Sequence, residues 1–394
     1  MWTGFAETGV ANAVLRVASK LGRHRQGWHG TRTEDIRIRV YQESVNQVIV
    51  RSLASLFHLA AILLLANAIG ANAQAPTAQI DRVLFVPLGG IDQWISIRGD
   101  DRANPVLLVV HGGPGEAQWP QAEIYRPWEK SFTVVQWDQR GAGHTFGRYG
   151  TKTPEVTLDR ISKDGVELAE YLCRDLGKKR IIVLGHSWGS IVATRMVQVR
   201  PEVFAAYVGT GQVTSWAAMV KTQYDLVLAK ARKDGDQAPI KEVEANRPDL
   251  ANAQQYFAFS SKYHVRSLWP ASDREWLQHL RSQAAELKAR EPEQFKNLED
   301  GMEFTGEHVL PDQLATNLPK IACDIDTAYF IIQGQDDIVT PTHAAVDYFR
   351  CIKSPKKELI LIPNAGHFAF MTASDRFLEA LTSKVRPVAI TRGA

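Results

Sequence analysis

The sequence lacks several features that mark common protein classes. It contains only three cysteines, Cys173, Cys323 and Cys351, and their spacing does not match a zinc-binding pattern. No internal repeat and no low-complexity segment interrupts it. The formal net charge is +3 and belongs to the first 50 residues, because acidic and basic side chains nearly balance beyond residue 73. These absences argue against a cysteine-based metal site, a repeat protein and a nucleic-acid-binding protein.

The amino-terminal region predicts export. Arg51 precedes an apolar run, Leu53 to Ile69, and Ala71-Asn72-Ala73 follows that run. A basic start, a short apolar core and an A-x-A site are typical of a secretory signal peptide, here residues 48–73. An uncleaved membrane anchor formed by residues 53–69 is the alternative. On either interpretation the chain meets a membrane only through this segment.

The residues before the signal segment do not fit it, because signal peptides begin close to their basic residues. No methionine lies between Met1 and Met196, so a start at Val48 or Val50 from an alternative codon would account for the excess. We therefore expect residues 1–47 to be a non-native or disordered extension.

From residue 74 onward, short apolar runs alternate with helical patterns. The runs are Val83–Val86, Trp94–Ile97, Val106–Val110, Thr133–Trp137, Ile181–Leu184, Ala205–Val208, Tyr329–Ile332 and Leu359–Ile362. Such alternation predicts an α/β fold with a mostly parallel sheet covered by helices on both faces. Residues 74–211 and 326–394 would form this core. The charged, alanine-rich and aromatic segment 212–325 has no convincing strand and predicts an inserted helical lid.

One strand runs directly into a G-x-S-x-G turn. Ile181–Leu184 is followed by Gly185-His186-Ser187-Trp188-Gly189. A serine hydroxyl is a weak nucleophile, so it must be presented beside a base, and a sharp strand-to-helix turn does this. The pattern predicts Ser187 as a catalytic nucleophile.

A glycine-rich loop follows an earlier strand. The segment His111-Gly112-Gly113-Pro114-Gly115 comes directly after Val106–Val110. Acyl transfer places negative charge on a carbonyl oxygen, and free backbone N–H groups stabilise that charge. We expect Gly113 and Trp188, the residue after the nucleophile, to form this oxyanion hole. His111 is interpreted as a structural histidine at the end of the strand.

An acid and a base follow later strands in the order Ser, Asp, His. The run Tyr329–Ile332 precedes Asp336 and Asp337, and Leu359–Ile362 precedes His367. His367 would accept the proton of the nucleophile, and Asp337 would hold its ring. Because Asp336 adjoins Asp337, it remains the alternative acid.

Together these motifs resemble the proline iminopeptidase branch of the α/β-hydrolases. The discriminating parts are Trp137-Asp138-Gln139-Arg140-Gly141 and the Ser187-Trp188-Gly189-Ser190 elbow. The resemblance covers about residues 83–381. It implies an α/β-hydrolase fold, a supporting role for Asp138 and Arg140 beside the oxyanion hole, and a mechanism that needs no metal or organic cofactor. Motifs do not determine the substrate.

The chain departs from this resemblance in one place. Proline iminopeptidases carry a glutamate that binds the substrate's amino group, but Met219 stands about where it is expected, and no carboxylate follows until Asp225. A buried ammonium group needs an opposing charge. Glu303 and Glu307 in the lid are weak candidates to supply it, since the simpler interpretation is a solvated helix face.

The predicted function is an exported serine hydrolase, proline iminopeptidase-like, acting on small-molecule or short-peptide substrates through an acyl-enzyme. The alternatives are a carboxylesterase or lipase-like hydrolase and, more distantly, a non-catalytic binding protein on a hydrolase scaffold. In an exported protein Cys323 and Cys351 could form a disulfide, because both are expected at the same edge of the sheet. Whether they do so stays open at this point.

Overall fold

The computed structural model describes residues 79–234 and 236–394. In this part of the chain eight strands form one sheet in the order β1-β2-β4-β3-β5-β6-β7-β8. The strands are β1 (Ile80–Leu88), β2 (Ile91–Gly99), β3 (Val106–Val110), β4 (Thr133–Trp137), β5 (Ile181–His186), β6 (Phe204–Thr210), β7 (Ala328–Gly334) and β8 (Lys357–Ile362). The pairs β1–β2 and β2–β4 are antiparallel, and the other five pairs are parallel.

Thirteen α-helices are described in the same two ranges. They are α1 (Gly143–Tyr149), α2 (Leu158–Leu176), α3 (Trp188–Val199), α4 (Trp216–Asp234), α5 (Gln237–Ala245), α6 (Ala253–Lys262), α7 (Ala271–Arg290), α8 (Pro292–Ala315), α9 (Leu318–Ile321), α10 (Thr342–Cys351), α11 (Ala369–Thr372), α12 (Ser374–Ala380) and α13 (Arg386–Thr391). Four segments are 3₁₀-helical, Trp119–Lys130, Gly150–Lys152, Pro201–Val203 and Val265–Leu268, and Leu381–Val385 is a π-helical turn.

The central strands are buried on both faces. All five residues of β3 are buried, and successive side chains point to opposite sides of the sheet. Leu108 and Val110 join a cluster that contains Ile191 of α3. Leu107 and Val109 join a cluster on the other face. Continuous apolar runs are therefore what a doubly covered parallel sheet requires, and the predicted fold class is confirmed.

Six helices, α4 to α9, lie between β6 and β7 and are called the helical insertion here. They fall within residues 212–325, for which the sequence predicts a lid; the division into core and lid stays a prediction. The insertion has an apolar cluster of its own, in which Tyr224, Val227 and Phe259 are buried. Its helices are therefore held partly by packing among themselves.

The predicted extension 1–47, signal segment 48–73 and alternative anchor 53–69 lie outside the described residues. Within the described ranges, no helix has the length and apolar character needed to span a bilayer.

Cys323 and Cys351 form a disulfide bond, and Cys173 is a free, half-buried thiol. Cys323 follows α9, and Cys351 ends α10. The bridge closes a loop of 28 residues that contains β7. Disulfides persist in oxidising compartments, and the export that the sequence predicts stays a prediction.

We expect the double substitution Cys323→Ser and Cys351→Ser to lower the free energy of unfolding by about 3.5 kcal/mol. Without the bridge the unfolded chain gains conformational entropy, and a closed loop of this length accounts for a change of that size. Urea denaturation measures the change. A reductant should destabilise the wild type and the control Cys173→Ser, but not the double variant. Equal sensitivity of all three proteins to reductant would contradict the expectation.

Candidate active site

Ser187 occupies a sharp turn between β5 and α3. Its backbone has φ 53° and ψ −122°, a combination that non-glycine residues rarely adopt. The turn needs glycine on both sides of the serine, because a Cβ at Gly189 would overlap the carbonyl oxygen of Val110 on β3. A Cβ at Gly185 would overlap the backbone of Gly189. Close packing therefore holds the serine in its turn and leaves it half-buried at the edge of the sheet.

Polar contacts support the turn from below. Ser190 Oγ donates a hydrogen bond to Ser187 O at 2.6 Å and accepts one from Val213 N at 3.0 Å. The amide of Gln212 also reaches Ser190 Oγ, at 3.3 Å, and Tyr207 OH donates to Gln212 Oε1 at 2.6 Å. The elbow is thereby tied to β6 and to the segment that follows it.

The structure places Asp337, and not Asp336, against His367. Asp337 Oδ2 lies 3.1 Å from His367 Nδ1. The carboxylate also accepts hydrogen bonds from Val339 N at 2.8 Å and from Thr340 N at 2.9 Å and Oγ1 at 2.7 Å. Asp336 is exposed. Of the two adjacent acids that the sequence left open, Asp337 is therefore the one in contact with His367, and its catalytic role stays a prediction.

The environment of His367 favours its protonated form. Burial lowers the pKa of the imidazole, but the attraction of Asp337, Asp273 and Glu116 more than offsets this effect. The pKa of His367 is therefore raised above its ordinary value. A ring that accepts a proton readily suits a general base.

His186, the residue before Ser187, joins the elbow to the loop of His367. Its ring lies 4.9 Å from the ring of His367, measured between centroids. Burial lowers the pKa of His186 well below its ordinary value, so the ring is neutral. His186 Nε2 then donates to His367 O at 3.2 Å. This bond ties the loop of His367 to the end of β5, at the residue that precedes Ser187 in the chain.

The glycine-rich loop lies against Ser187. A Cβ at Gly112 would lie 3.1 Å from Ser187 Cβ. Gly113 has φ 106° and stands in a loop, and Trp188 is the first residue of α3, so neither N–H belongs to a helix or strand ladder. The oxyanion hole that the sequence assigns to these two N–H groups stays a prediction.

His111 connects this loop to the segment Asp138–Arg140. Burial lowers the pKa of His111, and the neutral ring accepts a hydrogen bond from Gln139 N at 3.2 Å. Gln139 Nε2 donates back to His111 O at 2.9 Å, while His111 Nδ1 donates to Gly112 O at 3.0 Å. The direct contact is therefore made by Gln139, which the sequence analysis did not single out.

The two residues flanking Gln139 anchor the segment elsewhere. Arg140 is fully buried, and its Nε lies 2.7 Å from Oδ2 of the equally buried Asp164 on α2. Burial raises the pKa of Asp164, against the opposing effect of Arg140. Asp138 Oδ2 accepts from the backbone N of His144 at 2.8 Å. Breaking a buried pair such as Arg140–Asp164 costs about 3–5 kcal/mol, so these contacts fix the loop rigidly.

Glu303 and Glu307 are exposed on α8. Within the described residues neither forms an ion pair or a side-chain hydrogen bond. A different carboxylate is nearer the site: Glu116, directly after the glycine-rich loop, is half-buried. Burial raises the pKa of Glu116, and His367 opposes this rise. Sequence reasoning missed Glu116, although its place directly after Gly115 was a usable signal.

Across the described ranges, no group of three or more histidine, cysteine or acidic side chains is arranged to hold a metal ion. The absence of a cofactor stays an expectation.

Comparison with known proteins gives a consistent result. The sequence profile of the alpha/beta hydrolase fold matches residues 105–374. The probable aminopeptidase YbaC of Bacillus subtilis is 26% identical over 304 residues, covering 76% of this chain and 94% of that protein. The proline iminopeptidase of Lactobacillus delbrueckii subsp. lactis is 24% identical, covering 76% of this chain and 96% of that protein. These relatives confirm the resemblance to proline iminopeptidases.

Solved structures share the fold. The proline iminopeptidase-related protein from Thermus thermophilus superposes with a TM-score of 0.55 at 17% identity, covering 79% of this chain and 99% of that one. VinJ gives a TM-score of 0.53 at 18% identity, with the same coverage. At these identities the likeness concerns the fold alone.

We expect the Asp337→Asn substitution to lower the pKa of His367, because the largest attraction that favours the imidazolium is lost. The matched change Asp336→Asn should leave this pKa unchanged, since an exposed charge is screened by solvent. Histidine side-chain NMR against pH measures both, with the resonance assigned by its loss in His367→Gln. An equal decrease in the two asparagine variants would contradict the assignment of the acid.

Proposed function

The chain belongs to the α/β-hydrolase fold family, and from that premise we propose that it is a serine hydrolase that cleaves small peptide, amide or ester substrates through an acyl-enzyme. The observation that carries the proposal is the contact of Asp337 with His367 beside the Ser187 elbow. A buried acid, a histidine and a strained serine at one sheet edge form the arrangement that activates a hydroxyl nucleophile.

The residues suggest a two-step reaction. Ser187 Oγ attacks the carbonyl carbon of the substrate, and its proton passes to His367 Nε2. The N–H groups of Gly113 and Trp188 stabilise the negative oxygen that forms. His367 then returns the proton to the leaving group, which departs and leaves an ester on Ser187. Water, deprotonated by His367, hydrolyses that ester and restores the enzyme.

The buried contacts favour an enzyme over a binding protein on the same scaffold. Asp337 and His367 are both almost fully buried, and burying ionisable groups is unfavourable unless they are paired. A scaffold that only binds ligands has no need for the raised pKa of His367. A binding protein on this scaffold is expected to have lost a triad or oxyanion residue. Here the predicted residues are all present, namely Ser187, Asp337, His367, Gly113 and Trp188.

Labelling with a fluorophosphonate tests the nucleophile. We expect the probe to modify Ser187, and Ser187→Ala to abolish both labelling and turnover, because the attacking oxygen is removed. Ser261→Ala, a change at an exposed serine of α6, is the control and should behave as wild type. Residual turnover in Ser187→Ala above about a thousandth of the wild-type rate would exceed what a lost nucleophile leaves and would reject the assignment.

The substrate's amino group is a separate question. The relatives are named as aminopeptidases and proline iminopeptidases, but residues 209–219 carry no charge here. An ion pair that selects a free amine contributes a few kcal/mol. Because this ion pair is missing from residues 209–219, we propose that the enzyme cleaves amides and esters at similar rates whether or not the substrate's amino group is free. An esterase is the second candidate.

We therefore expect a prolyl arylamide and its N-acetylated form to be cleaved with similar kcat/KM, and free proline amides to be modest substrates. Steady-state kinetics on the two compounds gives the ratio. A preference for the free amine of about a hundredfold or more would contradict this expectation. Repeating the measurement with Glu116→Gln and with Glu303→Gln would then identify the carboxylate responsible.

A further inference from the structure

A fully buried carboxylate from the helical insertion contacts the loop of His367. Asp273 lies in the first turn of α7, and its side chain is inaccessible to solvent. His367 N donates a hydrogen bond to Asp273 Oδ2 at 2.7 Å, and Phe368 N donates to Asp273 Oδ1 at 3.4 Å. An acidic residue at this position of a helix commonly interacts with the amino terminus of its own helix. Here both oxygens accept from a different part of the chain.

The loop is shaped to receive this carboxylate. Gly366 stands directly before His367, and a Cβ at Gly366 would overlap Asp273 Oδ2 and lie 2.6 Å from Asp273 Cγ. The approach of the carboxylate to the backbone therefore depends on the absence of a side chain at position 366. The carboxylate of Asp273 and the glycine at position 366 are therefore complementary.

Holding Asp273 here is energetically unfavourable by itself. Burial raises the pKa of Asp273, and the negative charge of Asp337 acts in the same direction. Two backbone donors and the imidazole of His367 oppose these effects. Two buried carboxylates beside one histidine are best balanced when the ring carries a positive charge. That charge forms when Ser187 gives up its proton.

We propose that Asp273 is a positioning residue of the hydrolytic reaction: it fixes the backbone of His367 from the helical insertion and stabilises the imidazolium that forms there. The inference rests on the proposed function. In the step concerned, the O–H bond of Ser187 breaks, its oxygen bonds to the carbonyl carbon of the substrate, the π electron pair of that carbonyl moves to its oxygen, and the proton moves to His367 Nε2. Asp337 holds the other ring nitrogen, whereas Asp273 holds the backbone.

Four elements bring titratable groups to His367, and all of them bear on its proton affinity. They are Asp337 after β7, Asp273 on α7, Glu116 after β3 and His186 at the end of β5. His186 is neutral because burial lowers its pKa. Among the three carboxylates, Asp273 alone combines full burial with hydrogen bonds to the histidine backbone.

The test measures the rate at which a fluorophosphonate labels Ser187, as a function of pH, in full-length protein. The rate falls on the acid side as His367 becomes protonated. Asp273→Asn keeps an acceptor for His367 N but removes the charge, so its acid limb should move to lower pH. Asp273→Ala also loses the backbone contact, and its plateau rate should fall about 10- to 100-fold, as small displacements of a reacting group do.

Two further variants separate this role from a general loss of stability. Gly366→Ala leaves the Asp273 charge in the chain but displaces it, and should reduce the plateau rate in the same direction as Asp273→Ala. Glu275→Gln removes a charge from an exposed position on the same helix and should match the wild type in rate and acid limb. Urea denaturation of each variant reports stability, which alone does not move the acid limb. If Asp273→Ala does not fold, the comparison of Asp273→Asn with Glu275→Gln remains decisive.

An acid limb of Asp273→Asn that superimposes on that of Glu275→Gln overturns the inference, as does a wild-type plateau rate in Asp273→Ala. Both outcomes leave Ser187 labelled, so they reject the role of Asp273 without rejecting the proposed function. Absence of labelling in the wild type would reject the proposed function and, with it, this inference.

Discussion

The close packing of α3 on β3 is the constraint on which the site depends. Because Gly189 lies against the backbone of Val110, the chain must leave β5 in a sharp turn, and Ser187 is held at a φ of 53°. A non-glycine residue with such backbone angles destabilises the fold by about 1–3 kcal/mol, and the conformation persists only where the surrounding structure enforces it. Here two buried strands and a helix do so, and the serine stays at the sheet edge where the loops of Gly113 and His367 converge.

A second constraint follows from placing charge in a closely packed interior. Asp164, Asp273 and Asp337 are all buried, and an unpaired carboxylate at such a site would be strongly unfavourable. Each is satisfied differently. Asp164 meets a guanidinium, Asp337 receives backbone and hydroxyl donors together with the ring of His367, and Asp273 receives two backbone N–H groups. The three pairings connect α2, the loop after β7 and the helical insertion to the elements that surround Ser187.

These contacts also explain what could be predicted from the sequence. The strand runs, the elbow and the glycine-rich loop have local signatures, because turns and buried strands impose residue types at short spacing. Gln139 and Asp164 contact partners that lie 28 and 24 residues away in the sequence, so no local spacing reveals these pairs. The choice between Asp336 and Asp337 likewise depends on which side chain faces His367. Local sequence patterns therefore predict the elbow of Ser187, whereas the contacts that support the elbow depend on tertiary packing.

The helical insertion is the part with the weakest sequence signal, yet it contacts the backbone of His367. Its aromatic residues pack largely with one another, as Tyr224 and Phe259 do, so composition alone describes it as a bundle beside the core. Asp273 in α7 is an exception, because its contact of 2.7 Å to the backbone of His367 joins the insertion to the loop of the proposed base. A helical segment that shapes substrate access would, by this contact, also influence the proton transfer, since displacing it leaves two N–H groups without their acceptor. Under the proposed function, substrate access and proton transfer would then be linked through a single carboxylate.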